Sequence, residues 1–256
     1  MKEDDLSTVG FDVHMSELDR RQPLGADNPD TSGYVHIAEN FCPYIRPAIE
    51  AKEFFQSQYS LAALRGLSID GRAAEGLLYV GIVHAEWLRL RRGRSEKARE
   101  LICDTIVIND DDHLSWEQLA TVVMWPQWIL KYLYSDIGIM FANFWRGYVS
   151  SATDGREIPP PPKSFFAIRS AVPPRDSQFL SNDAAIADFI RNSRDDGRNV
   201  HRPVAAIEVN ETLSAAALRE LRYFDRARSW SYSLLPEELR QRLTATKSAR
   251  AHDEAL

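Results

Sequence analysis

Two apolar, aromatic-rich runs, Ile137 to Trp145 and Phe165 to Val172, constrain this chain more than any other feature. Each is bounded by turn formers, the pattern of paired core strands. Between them lie Pro159 to Pro162, four consecutive prolines that must be extended and cannot donate backbone hydrogen bonds. The reading is two strands with a stiff strap leading into the second.

Other elements are placed around this pair. Val35 to Ile37 suits a short strand, and Pro47 suits the first turn of a helix running through Phe55. Tyr59 to Ile69 reads as a strand or extended segment. From Arg72 to Arg92 the apolar residues Ala73, Leu77, Val80 and Leu88 recur at helical spacing, with Gly76 and Gly81 arguing against it. Cys103 to Ile108 is a short strand. Ser115 and Gln118 have the spacing of a capping box, opening a helix that Pro126 must kink or restart. A further helix is capped by Asn182 or Asp183, and a strand-like stretch after Val200 precedes a helix from Ser214 to Ser229.

That order implies an α+β fold: a single mixed or antiparallel sheet, helices packed mainly on one face, and a helical C-terminal extension. The chain divides into a polar N-terminal arm over 1–32, with a short helix near His14 to Arg20, a core over 33–199, and the extension over 200–256.

A net charge of −6, from 31 basic and 37 acidic residues, is poor material for tracking phosphates and argues against nucleic acid as a partner. No apolar run approaches the length needed to span a bilayer, and the N-terminus lacks an apolar signal core. Two cysteines, Cys42 and Cys103, exclude a disulfide scaffold and suggest a reducing compartment. The expectation is a cytoplasmic protein acting on a small molecule.

Cys42 is followed by Pro43, which removes a backbone donor beside the sulfur and holds Cys42 extended. Its thiolate could face a metal or haem iron, or the residue could be a small buried hydrophobe. His36, six residues earlier, is a second candidate cofactor ligand. Strand alternation puts Arg169 on one face with Phe165, Ala167 and Ala171, so its guanidinium needs an anion: Asp136, Asp176 or a substrate carboxylate. Asn143 and Arg175 join it as substrate-binding candidates. His84 lies on an apolar helical face and reads as a satisfied core residue. Asp110 to Asp112 with His113 could hold a divalent cation or form a solvated helix start.

Two segments carry a resemblance. NPDTSGYVHIAENFCPYIRPAIE is similar to the proline-rich lead and Val-Cys-Pro-Phe motif of an uncharacterised bacterial domain family. DIGIMFANFW through IPPPPKSFFAIRSAVPPRDSQFL resembles that family's Gly-Leu-Met strand, proline strap and Asp-x-x-Phe ending. The family in turn resembles, more remotely, haem-dependent amino-acid N-hydroxylases of specialised metabolism. That resemblance implies a haem-dependent oxygenase acting on a small amino-acid-type substrate, with haem near Cys42 and Arg169 gripping a carboxylate. Ser170 stands where many family members have a histidine, so a ligand role for that histidine does not transfer. The other reading is a non-catalytic domain whose aromatic groove binds a ligand or partner chain.

Overall fold

The structure is a computed structural model describing residues 15–25, 33–68, 71–94, 100–109, 114–147, 149–152, 155–179, 184–198 and 200. In chain order the elements are α1 (15–19), α2 (Val35–Ala38), α3 (Ile45–Glu50), β1 (Phe54–Tyr59), α4 (Leu61–Gly66), α5 (Ala73–Arg92) and β2 (Cys103–Ile108). There follow α6 (Trp116–Ser135), β3 (Ile139–Phe144), β4 (Ser150–Ser151), β5 (Glu157–Ile158), β6 (Phe165–Ser170), α7 (Pro173–Phe179) and α8 (Ala184–Arg191).

The fold is α+β with one mixed sheet in the order β1-β2-β6-β3; β4 and β5 form a separate small hairpin. The two runs flanking the proline strap are adjacent antiparallel strands, with Ile139 opposite Ser170 and Phe144 opposite Phe165. β2 pairs antiparallel with β6, and β1 pairs parallel with β2, the crossover being made by α4 and α5.

Alternation gives the sheet two unlike faces. Phe55, Ile106, Ile108, Phe141, Phe166 and Ile168 point to α5 and α6 and form the main core with Leu77, Trp87, Leu130 and Tyr134. Phe54, Cys103, Val107 and Phe165 point the other way, into two smaller clusters closed by Leu24, Tyr34, Val35 and Ala48. The long helices thus cover one face, and short α2 and α3 cover the other.

Several sequence expectations are corrected. Val35 begins a helical turn, not a strand, because it packs on Leu24, Ala48 and Phe54 as part of a lid. The helix expected to run through Phe55 stops at Glu50; Lys52 enters the left-handed region at φ 60° and the Glu53 N–H donates to the Ala48 carbonyl. Phe54 and Phe55 are then free to start β1, so the strand expected from Tyr59 onward ends there instead. Ser60 caps α4, its hydroxyl accepting from the Ala63 N–H at 3.0 Å. The capping box at Ser115 and Gln118 is formed, but α6 does not restart at Pro126. Asp110–Asp112 with His113, the Asn182 or Asp183 cap, and the strand and helix expected beyond Val200 lie outside the described residues.

The N-terminal segment is more than a surface arm. Leu18 and Leu24 are buried, the Leu24 N–H donates to the Phe54 carbonyl, and Trp87 Nε1 donates to Asp19 at 2.9 Å. Arg21 reaches into the core, where its two terminal nitrogens donate to the two oxygens of Asp104 at 2.7 and 2.8 Å. The guanidinium lies over the Trp87 ring, 4.3 Å from its centroid. Asp104 also accepts from His84 Nδ1 at 2.8 Å, while His84 Nε2 meets the Tyr59 hydroxyl at 2.9 Å. His84 is the satisfied core histidine its sequence context suggests. Burial alone would raise the Asp104 pKa; Arg21 and His84 outweigh it and hold the carboxyl well below its usual range. Burial, then the Asp104 charge, pushes the Tyr59 hydroxyl up to about 12.

A carboxylate with a depressed folded pKa contributes stability that is fully present above its unfolded pKa, about 4, and is lost as pH falls below it. Arg21→Ala should cost on the order of 3–5 kcal/mol at neutral pH by leaving Asp104 short of its partner. It should also flatten the acid limb of stability, read as denaturant midpoints across the acid range.

Gly76 answers the objection that glycine raised against α5. A Cβ there would stand 1.8 Å from the Leu64 carbonyl oxygen, so α4 and α5 approach too closely for a side chain. Gly81 is different, since its added Cβ meets only the movable end of Leu130. Gly76→Ala should therefore destabilise by about 1–3 kcal/mol despite the better helix propensity of alanine, with Gly81→Ala costing less in the same melting series.

Candidate functional site

The sparsely covered face of the sheet encloses a cavity of about 230 Å³. Its floor follows from the register: Cys103, Arg169 and Met140 form one lateral row, and Thr105, Ala167 and Ala142 form the next. Small side chains in that second row leave the space. Phe54 and the stacked pair Phe144 and Phe165 wall the two ends, the latter rings 4.9 Å apart. The roof is Tyr34, Val35, Ala38 and Ile45 on the lid, with Phe41 and Cys42 in the loop between α2 and α3. Ala142 is exposed on the edge strand β3, so the cavity reaches solvent there.

Polar ties hold the roof down. The Tyr34 hydroxyl donates to the Pro159 carbonyl at 2.5 Å, which gives the proline strap a use: a rigid acceptor beside the lid. Arg156 donates to the Asn40 carbonyl at 3.4 Å and lies over the Phe41 ring. At the other side the Arg169 guanidinium sits 4.2 Å from the centroid of Tyr44.

Arg169 lines the cavity, and of the anions open to it from the sequence the structure selects Asp176. The contact is a two-pronged fork, at 2.8 and 2.6 Å, and a further bond goes to the Ser170 carbonyl at 2.8 Å. Asp176 is fully buried and also accepts from the Val172 N–H at 2.6 Å. Burial would lower the Arg169 pKa, but Asp176 outweighs it and the guanidinium stays charged. The pair is internally neutral. Asp136 is engaged elsewhere, by Arg198 at 2.6 Å.

The other candidates scatter. Cys42 is half-buried and lines the cavity, whereas His36 is exposed on α2 and does not. Asn143 falls between Ala142 and Phe144 on β3, so alternation turns it away from the cavity floor. Arg175 is exposed in the first turn of α7, with its guanidinium 5.8 Å from the Tyr44 ring, and does not line the cavity.

Sequence reasoning missed Cys103, Thr105, Met140 and Ala167. The alternation Cys103, Thr105, Val107 was readable, but not which face would lack a long helix. Burial pushes the Cys103 thiol up to about 12 against the lowering influence of Arg169, so it stays protonated.

These residues do not fit haem. An engineered cavity of roughly 150 Å³ takes benzene, and about 230 Å³ leaves room for little more than a fused pair of rings. A porphyrin is several times that size, and His36 is not at hand as a ligand. Among the described residues no cluster of His, Cys, Asp and Glu could hold a metal ion, and no helix is long and apolar enough to cross a membrane. Compared with protein-family models, curated proteins and solved structures, the chain matches none.

Removing the Arg169 fork should leave Asp176 buried without its cation. Arg169→Ala is expected to cost on the order of 3–5 kcal/mol in chemical denaturation. Arg169→Lys, which loses the fork but keeps the charge, should recover part of that loss. A melting midpoint unchanged in both variants would show that the pair does not support the fold.

Proposed function

We propose that the protein binds a small, uncharged, mainly apolar molecule between the sheet and the lid. The observation that carries this reading is the cavity itself, walled by aromatic and aliphatic side chains and lying on the face the long helices leave uncovered. Protein interiors are packed at crystal-like density, and an apolar void of this size is costly to leave unfilled. Its volume suits a ligand of about ten non-hydrogen atoms, by comparison with the smaller cavity that takes benzene. Arg169 favours a neutral ligand because its charge is already matched by Asp176. The Thr105 hydroxyl and the two thiols are the modest polar groups that would orient it. This is a binding reading, and it departs from the carboxylate-gripping role that the sequence suggested for Arg169.

The test is calorimetric titration with 1-naphthol, a neutral bicyclic probe of the right size. Ala167 lies mid-floor, so Ala167→Leu should fill the cavity and weaken 1-naphthol binding about tenfold or more, the equivalent of 1.4 kcal/mol. Its melting midpoint should hold or rise, since the added methyl groups occupy empty space. Wild-type affinity retained in Ala167→Leu would place the ligand elsewhere.

A further inference from the structure

The chain has two cysteines, and the fold brings both to one cavity from opposite walls. Cys103 opens β2 on the floor, and Cys42 stands in the loop between α2 and α3, on the lid. Both are free thiols, Cys103 buried and Cys42 half-buried. They lie within electrostatic reach of each other and of the Arg169 guanidinium. A single cysteine in apolar surroundings is a small hydrophobe. Two on separately held elements, facing a shared space, can be joined when the lid closes onto the sheet, since a disulfide needs its Cα atoms within about 7 Å. The Tyr34 hydroxyl ties the start of the lid to Pro159 on the strap, so a bond at Cys42 would pin a different part of it.

We infer that Cys42 and Cys103 form a reversible dithiol–disulfide pair, oxidised by hydroperoxides, that staples the lid to the sheet and restricts entry to the cavity. The restriction of entry rests on the binding reading above; the staple itself does not. Cys42, the more accessible thiol, reacts first: its thiolate sulfur attacks a peroxide oxygen, the O–O bond breaks, and the departing alkoxide or hydroxide takes up the proton the thiol had released and leaves as an alcohol or water. Cys42 is then a sulfenic acid. The Cys103 sulfur attacks that sulfur, the S–S bond forms, and the departing hydroxide takes the Cys103 proton away as water. Two electrons pass from the dithiol to the peroxide, and a small-molecule thiol returns them by exchange. Cys103 is buried and Cys42 only half-buried, so an oxidant from solvent meets Cys42 first and Cys103 is left as the resolving partner.

The test titrates the reduced full chain with hydrogen peroxide, counts thiols by alkylation and mass spectrometry, and follows 1-naphthol association by stopped flow. Both thiols should disappear together and give one linked peptide pair containing Cys42 and Cys103. Cys42→Ser should keep Cys103 alkylatable after unfolding over the same exposure. Association of 1-naphthol should slow about tenfold on oxidation, as expected for a closed lid, and recover with dithiothreitol. Cys42 advancing to a sulfinic acid while Cys103 stays alkylatable would overturn the inference, as would a linked pair with unchanged association. If 1-naphthol binds neither form, the binding reading fails separately, and proteolysis within residues 34–50 decides the staple. Slower cleavage in the oxidised protein upholds it, and equal cleavage overturns it.

Discussion

The carboxylate of Asp104 is the point on which the fold is tied together. It sits fully buried in the second strand of the sheet, on the face turned to α5, where an unpaired charge would be prohibitively costly. Arg21 from the N-terminal segment and His84 from α5 both bond it, and through them Ser57 and Tyr59 of β1 are drawn in. One acidic residue thus joins four separate stretches of chain. The geometry leaves little choice of register, because a slip of β2 by one residue would turn the carboxylate to the opposite face. Much of the net stability still comes from the apolar burial around it; the network's stronger effect is to specify which elements meet.

That arrangement commits one face of the sheet to two long helices and leaves the other to short pieces. A helix of four residues and one of six cannot seal a four-stranded sheet. Where the floor carries Thr105, Ala142 and Ala167 in one row, the gap remains open as a cavity. Beyond two small apolar clusters, the lid is held by individual contacts: a tyrosine on the proline strap, an arginine on a carbonyl, an arginine stacked on Tyr44. Elements held in this way open more readily than packed core helices, which is what a binding site requires. The Arg169–Asp176 fork has a related consequence. It places a charged group at the cavity while cancelling its charge, so the site keeps an apolar character.

The element types with strong local signals were legible in the residues. The paired strands around the prolines, the CDTIVI strand, the long helix after Arg72 and the capping box at Ser115 all stand where periodicity and capping chemistry put them. The segment from Val35 to Ser68 was not. Its helix ends at a lysine in the left-handed region, where glycine would be the expected signal. Its next helix follows a strand after a single capping serine, with no glycine or proline to mark the change.

By itself the sequence determined the fold class, the pairing of the two aromatic runs and the presence of Cys42 and Arg169 in interesting surroundings. Those follow from local periodicity and from the conformational limits of proline, which act over a few residues. Only the tertiary structure decided that Arg169 belongs to Asp176, that His36 faces solvent and that Cys103 shares a cavity with Cys42. Partner choice for a buried charge, and the meeting of two thiols, depend on which sheet face the short helices cover. Packing between residues far apart in the chain settles that, and no spacing within a segment records it.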